Sequence, residues 1–381
     1  MKTVGIVTIV KVNNYGAELQ AFALQRKLCL MGYRAEVIDY LFYKHRDFVR
    51  EKVSRPFYHY PFGKRVKEFL LPQWEKLRCS VYAGHARKRR ERFRLFHERF
   101  TDFSAVTYTS YSRLYAAPPQ YDVYCVGSDQ VWNPNCYTSL NPYFLTFSPA
   151  GRRRISDASS FGVEALPEDA EAHYREGLSG LDAVSVRERT GVRIVEKLTG
   201  KRAQLVVDPT LLLDRNEWNR VANVSRVPDG AYILLYVLKD SRYITRLAEA
   251  LAAKNGWSIV RICKNAYRQD AAGGRIHDIL DAGPDEFVGL FSKARLVLTN
   301  SFHGTVFSLL FQKDFYTILK AGKDNNSRQT DLLSAVGLDR RGVYEGAFAP
   351  QPSVDYAAVQ QRIDSMREAS ERFLYNAIEN G

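Results

Sequence analysis

Residues 299–304, Thr-Asn-Ser-Phe-His-Gly, close one apolar run, "RLVL", and open another, "TVFSLLF". A strand that turns sharply into a helix presents the helix's first N–H groups and the positive end of its dipole, which suits a phosphate or carboxylate. His303 at that turn could touch the anion and donate a proton. Equally, Asn300 or Ser301 could cap the helix and leave His303 a satisfied turn residue. In "VGSDQVWNP", Ser128 and Asp129 leave a strand on a glycine turn. An acid there can accept hydrogen bonds from sugar hydroxyls or act as a general base, with Trp132 free to stack on a sugar ring; the plainer reading is a capping Asp above a buried Trp. Asn13, Asn14 and Tyr15 in "NNYGAELQ" are hydroxyl binders or turn formers. Arg187 in "SVRERTG" and Arg328 in "NNSRQTDLL" can clamp a carboxylate or phosphate in two-pronged fashion, or can sit on the surface beside an acid such as Glu188.

The elements that must position these groups follow from apolar periodicity. Residues 3–10 are β-branched and apolar, a polar turn follows at 11–16, and "AELQAFALQRKLCLMG" has helical spacing with Gly32 as its stop. The strand "RAEVIDY" completes a βαβ unit, whose ligand belongs at the carboxyl end of its first strand. "YDVYCV", "RRRIS", "DAVSV" and "AQLVV" continue the rhythm, and a second series starts at "AYILLYVL" and runs through "WSIVRIC" to "RLVL". Pro284 and the acids after it suit a helix start. The expected division is an N-terminal α/β domain over 1–225, carrying a basic helical insertion at 44–103, a C-terminal α/β domain over 226–350, and a helix over 351–381.

A chain of 381 residues exceeds one ordinary core. Its 45% hydrophobic and 25% charged residues exclude disordered, collagen-like and coiled-coil classes. The formal charge of +13 favours anionic partners, and residues 44–99, with 17 Lys/Arg against 6 Asp/Glu, carry most of it. Within that segment, 87–99 interleaves Arg with Phe93, Leu95 and Phe96, which suits an anionic membrane surface, nucleic acid, or a merely solvated face. No nucleic-acid-binding module is recognisable, so no nucleic-acid partner is expected. Five scattered cysteines without CxxC spacing or paired histidines offer neither a metal site nor a disulfide framework. With no signal-like or membrane-spanning run, a cytoplasmic protein is expected, peripheral at the inner face of the cell membrane if the basic segment binds lipid.

Taken in order, "NNYGAELQAFALQ", "VGSDQVWNP", "ISDASSFG", "SVRERTG", "VVDPTLLL", "TNSFHGTVFSLLF" and "NNSRQTDLL" resemble the polysaccharide pyruvyl transferase family. The resemblance implies a GT-B-like fold, two Rossmann-like α/β domains facing across a cleft. It also implies transfer of pyruvate from phosphoenolpyruvate to a sugar, forming a ketal and releasing phosphate, with a lipid-linked polysaccharide precursor as acceptor and no cofactor or metal. On that basis His303 is the general acid, with Asp129 as its catalytic partner. Arg187, Ser301, Phe302, Gly304, Thr305, Asn326 and Arg328 line the donor side, and Asn13, Asn14, Tyr15, Ser128 and Trp132 the acceptor side. Many better-studied members carry Arg two residues before the histidine, where this chain has Ser301, so another cation, Arg187, Arg328 or Lys320, must stand in. The departure keeps two alternatives open: a glycosyltransferase using a nucleotide-activated donor, or a catalytically silent scaffold of the assembly complex.

Overall fold

A computed structural model describes residues 1–58, 83–238, 241–263, 276–320 and 326–380. Residues 59–82 of the expected insertion, and Asn325 of the "NNSRQTDLL" motif, lie outside the described residues. What is described divides into two compact units, 1–58 with 97–212 and 365–380 in the first, 83–96 with 213–364 in the second. Each holds a parallel sheet between helices, the α/β class read from the sequence.

In chain order the first half runs β1 (Thr3–Val7), α1 (Tyr15–Leu30), β2 (Arg34–Val37), α2 (Ala83–Phe100), α3 (Tyr111–Ala116), β3 (Val123–Val126), β4 (Arg153–Ser156), α4 (Glu168–Ser179), β5 (Ser185–Val186), α5 (Arg189–Thr199) and β6 (Gln204–Leu205). Strands β2-β1-β3-β4 pair in that order, all parallel. Single bridges, Ile155 to Ala183 and Ser159 to Val186, carry the sheet on to β5 and β6. Buried on both faces, β1 and β3 read as unbroken apolar runs because helices or loops must cover each side. One face packs on aromatic residues including Trp132, Phe144, Phe161 and Tyr174; the other packs on Leu24 and Leu28 of α1. Strand order reverses between β1 and β3, so the crevice for a ligand lies beyond their carboxyl ends.

The second half comprises α6 (Arg215–Val221), β7 (Tyr232–Tyr236), α7 (Arg242–Asn255), β8 (Ser258–Ile262), β9 (Ile276–Ile279), α8 (Pro284–Lys293), β10 (Leu296–Thr299), α9 (Phe302–Leu310), β11 (Asp314–Leu319), α10 (Ser327–Ala335), β12 (Gly342–Tyr344) and α11 (Tyr356–Glu379). Its sheet runs β9-β8-β7-β10-β11-β12, again all parallel. That is the doubly wound order of dinucleotide-binding folds, with the reversal between β7 and β10.

Three boundaries differ from the sequence reading. The second unit begins at 213 rather than 226. Trp218 of α6 is fully buried edge-on to Phe307, ring centroids 4.9 Å apart, and the Asn223 N–H donates to Asp285 O. Of the described part of the insertion, residues 44–58 form turns and one short 3-10 turn at Lys52–Ser54, while α2 is a long helix. Most of α2 counts with the second unit, where Arg89 donates to Cys263 O and Arg92 to Asp281 O. Helix α11 is not a separate appendage. Its first turns belong to the second unit, while Leu374, Ala377 and Ile378 complete the first unit's core.

Candidate active site

In the second unit the turn from β10 to α9 sits at the reversal of strand order. Thr299 Oγ1 donates to Tyr236 O (2.6 Å) and accepts from the Ser301 N–H (3.0 Å), so one buried hydroxyl ties both reversing strands to the turn. Asn300 Oδ1 accepts the Leu238 N–H (2.8 Å) and fixes the loop after β7 to the same place. Gly304 is required here: a Cβ would stand 2.2 Å from Thr299 Oγ1, so any other residue would push α9 off the strand end. The hydrogen-bond ladder of α9 begins with the Thr305 N–H donating to Ser301 O (3.0 Å), so the N–H of Gly304 lies ahead of it. Ser301 stands at the N-cap without a side-chain capping bond, which removes the reading in which its hydroxyl caps the helix. His303 is 8% exposed, its ring edge-on to Phe302 at 5.3 Å.

The Arg328 guanidinium also lies over the Phe302 ring, 6.0 Å from its centroid. A cation and the histidine thus share one aromatic ring. The first turn of α10 is drawn to this place by Gln329, whose amide reaches Asn300 O at 3.5 Å; the sequence reading overlooked it. Two donor-side expectations in this unit are corrected. The backbone N–H of Thr305 is spent in the ladder and its hydroxyl contacts Thr317 (2.7 Å) and Ser301 O (3.2 Å), so Thr305 offers a ligand nothing. Asn326 uses its amide to hold Lys320 O (2.8 Å), a loop closure.

In the first unit the loops after β1 and β3 meet at the other reversal, where Thr8 Oγ1 donates to Ser128 O (2.8 Å). Asn14 caps α1, its Oδ1 accepting the Gly16 N–H (3.1 Å), while Asn13 is exposed beside it. Tyr15, at 1% exposure, is core rather than an acceptor contact. The loop's shape comes from Glu18, buried in the first turn of α1: it accepts the N–H groups of Lys11 (3.3 Å) and Val12 (2.7 Å) and pairs with His97 Nε2 at 2.7 Å. A carboxylate at the fourth position of a mostly apolar helix is the signal that could have flagged it.

Arg187, expected on the donor side, is instead a hub inside the first unit. Its side chain is fully buried, contacting Asp208 Oδ2 at 2.6 Å, Asp129 Oδ1 at 3.2 Å and Glu188 Oε2 at 3.9 Å. Burial works against its charge, but Asp208, Asp129 and Glu188 outweigh that and hold its pKa above the usual value. Already neutralised, it cannot clamp a donor. Ser128 is likewise committed: its one hydroxyl proton has Ala158 O (2.9 Å) and Asp208 Oδ2 (3.0 Å) within reach, and its oxygen accepts from Arg187. Trp132 is wholly buried, its Nε1 donating to Tyr143 O (2.8 Å) and its ring stacked near Phe144, so it cannot stack on a sugar. Of the hub's side chains Asp129 keeps the most exposure, 12%. It holds a left-handed backbone (φ 70°), unusual for a non-glycine residue, and the residue as a whole is 9% exposed.

The sequence matches the family described as polysaccharide pyruvyl transferase over residues 14–319. The chain belongs to that family. Solved structures that resemble this pyruvyl transferase family member include a UDP-GlcNAc 2-epimerase from Neisseria meningitidis bound to UDP-GlcNAc, 11% identical, covering 100% of this chain and 98% of that one at a TM-score of 0.49. A UDP-GlcNAc 2-epimerase from Methanocaldococcus jannaschii is 12% identical over 98% of this chain and 99% of that one, TM-score 0.48. An Arabidopsis thaliana UGT89C1 complexed with quercetin is 11% identical over 99% and 93%, TM-score 0.46. No curated protein matches the chain. Among the described residues no helix is long and apolar enough to cross a membrane.

One buried acid of this transferase family member was not read from the sequence. Asp157, just beyond β4, is 1% exposed, and its Oδ2 has no hydrogen-bond partner among the described residues. Burial, with Asp208 adding to it, pushes its pKa up to about 7. The folded protein therefore binds this proton more tightly than the unfolded chain. Its contribution is most favourable at low pH and is lost progressively as pH rises from about 4 through 7, up to roughly 4 kcal/mol in total. Asp157→Asn is expected to flatten the pH dependence of urea unfolding between pH 5 and 8 and to be the more stable protein at pH 8. An unchanged slope would show that Asp157 does not carry the titration.

Proposed function

We propose that the protein transfers the pyruvate carbons of phosphoenolpyruvate to two hydroxyls of one sugar in a lipid-linked surface-polysaccharide precursor. The product is a cyclic ketal and phosphate. Protonation of the methylene carbon makes the adjacent carbon electron-poor. One sugar hydroxyl adds to it, a second displaces phosphate, and of the two hydroxyl protons one replaces the proton given to carbon while the other leaves with phosphate. His303 donates to carbon, the Gly304 N–H and Arg328 hold the donor's charge in place of the missing arginine, and Asp129 accepts a proton from the sugar. Support comes above all from the family match together with His303 and Arg328, which share the Phe302 ring at the reversal of strand order. On α2, Arg87, Lys88 and Arg90 stay exposed and suit a membrane's anionic headgroups, which would place the enzyme at the cytoplasmic face.

Binding distinguishes the donors. At roughly 100 times its dissociation constant a true donor stabilises the protein by about 2.7 kcal/mol. Phosphoenolpyruvate is expected to raise the melting temperature and to release phosphate when a lipid-linked sugar is added. Stabilisation by nucleotide sugars alone would instead favour a glycosyltransferase, and membrane recruitment with no phosphate release across a panel of acceptors a silent scaffold.

A further inference from the structure

Residues 44–58 run over the surface of the first unit as a strip tied down at intervals. Phe48 is buried edge-on to Tyr40, ring centroids 6.1 Å apart. The Val49 N–H donates to Thr109 O (2.8 Å), Ser54 O accepts the Ser139 N–H (2.7 Å), and Tyr58 Oη donates to Pro134 O (2.7 Å). Between these anchors the side chains are left in water: Val49 is 54% exposed, Val53 50% and Phe57 61%, with Arg50, Lys52 and Arg55 exposed among them. Scattered singly, exposed apolar residues need no explanation, but three within nine positions of one strip make a patch.

Contacts hold the cations together. Lys44 Nζ and the Arg50 guanidinium lie over one ring, that of Tyr43, at 5.3 and 5.8 Å from its centroid. The Arg55 N–H donates to Lys52 O (3.2 Å), a turn that brings the two α-carbons within about 7 Å of each other with Val53 between them. Over 44–57 there are five Lys/Arg and two acids. Asp47 is taken by Arg46 (3.4 Å), and half-buried Glu51 turns to α3, where it accepts the Ser112 N–H (2.8 Å). Arg50, Lys52 and Arg55 make no ion pair among the described residues. At the far end Phe57 leans on His173 of α4, ring centroids 5.0 Å apart, and the exposed acids Asp169 and Glu176 lie one turn to either side of that histidine. The positive charge is therefore centred on 44–55.

We propose that this strip is a membrane contact of the first unit, in which Arg50, Lys52 and Arg55 meet the phosphates of an anionic bilayer while Val49, Val53 and Phe57 enter its interfacial layer. A soluble phosphate or a nucleic acid would engage the cations and leave the apolar side chains in water; a bilayer engages both. The surface is distinct from the exposed cations of α2, most of which counts with the second unit, and it does not depend on the reaction proposed above.

The test is sedimentation of the full chain with vesicles, without donor or acceptor, so that its outcome is independent of the transferase reading. Binding is expected to vesicles of mixed phosphatidylglycerol and phosphatidylcholine and not to phosphatidylcholine alone. The triple variant Arg50→Gln, Lys52→Gln, Arg55→Gln is expected to bind roughly 10²-fold more weakly, about fivefold per cation at an anionic surface. Val49→Ala with Val53→Ala is expected to cost roughly tenfold, since each methyl-sized group that enters the bilayer contributes up to about fourfold. Acetylation of Lys52, read by mass spectrometry, should slow on the mixed vesicles, both in the unaltered protein and in an α2 variant carrying Arg87→Gln, Lys88→Gln and Arg90→Gln. Unchanged binding by the triple variant, an unprotected Lys52 in vesicle-bound protein, or no vesicle binding at all would each overturn the proposal. A valine variant that binds like the unaltered protein while the triple variant does not would overturn it too, by making the partner a soluble polyanion.

Discussion

Arg187→Met is expected to be the most damaging single substitution in the first unit, destabilising it by about 3–5 kcal/mol, the usual cost of removing one partner from a buried ion pair. Methionine fills much of the same volume, so the loss is electrostatic rather than a cavity. It strands Asp208, which has no exposed side-chain surface, together with Glu188 at 2% and Asp129 at 12%, next to Asp157, whose protonation is already favoured by Asp208. Carboxylates so placed must ionise in a poorly solvated site or take up protons. The variant should therefore recover part of its stability as pH falls, and Asp208→Asn in the same chain should restore more. Urea unfolding monitored by first-unit tryptophan, Trp132, would read this, because two units need not unfold as one transition. A change within about 0.5 kcal/mol, the range of ordinary surface substitutions, would mean that the hub is not what holds the carboxyl ends of β3 to β6 together.

The same hub explains why the sequence was legible in part. Continuous apolar runs such as Tyr232–Tyr236, and short turns of small residues after them, are local properties, so the two parallel sheets and the strand-to-helix turn at His303 could be read directly. Whether a polar residue after a strand faces water is decided by distant residues. Arg187 is buried because Asp208 and Asp129 lie 21 and 58 positions away, and Trp132 because Tyr143, Phe144 and Phe161 close over it. Strand β9 escaped notice for a related reason: "IHDI" puts a charge in a sheet, and the charge is tolerable only because Arg261 on β8 binds Asp278 at 2.7 and 2.8 Å. Likewise "AQLVVDP" suggested a long strand, yet β6 holds two residues, since Asp208 leaves the sheet to meet Arg187 and Pro209 begins a 3-10 turn. The domain boundary moved with Trp218, whose partner Phe307 is far along the chain.

On the proposed chemistry, His303→Ala is expected to lower phosphate release from phosphoenolpyruvate plus acceptor by roughly 10²- to 10⁴-fold, the range for loss of a positioned general acid. The fold should survive, because the substitution lies in the first turn of α9 and leaves Gly304 against Thr299, and the lost edge-on contact with Phe302 is worth about 0.5–1.5 kcal/mol. Donor binding should also survive, since the charge of phosphoenolpyruvate is assigned to the Gly304 N–H and Arg328 rather than to the imidazole. The complementary variant, Arg328→Met, should raise KM for the donor more than it lowers kcat, because a cation holding the donor's carboxylate or phosphate in ground and transition states alike contributes uniform binding. Added imidazole should restore some turnover to His303→Ala and none to Arg328→Met. Near-normal phosphate release by His303→Ala would sink the assignment of the acid, and an Arg328→Met variant with unaltered KM would return the search for the missing cation to Lys320.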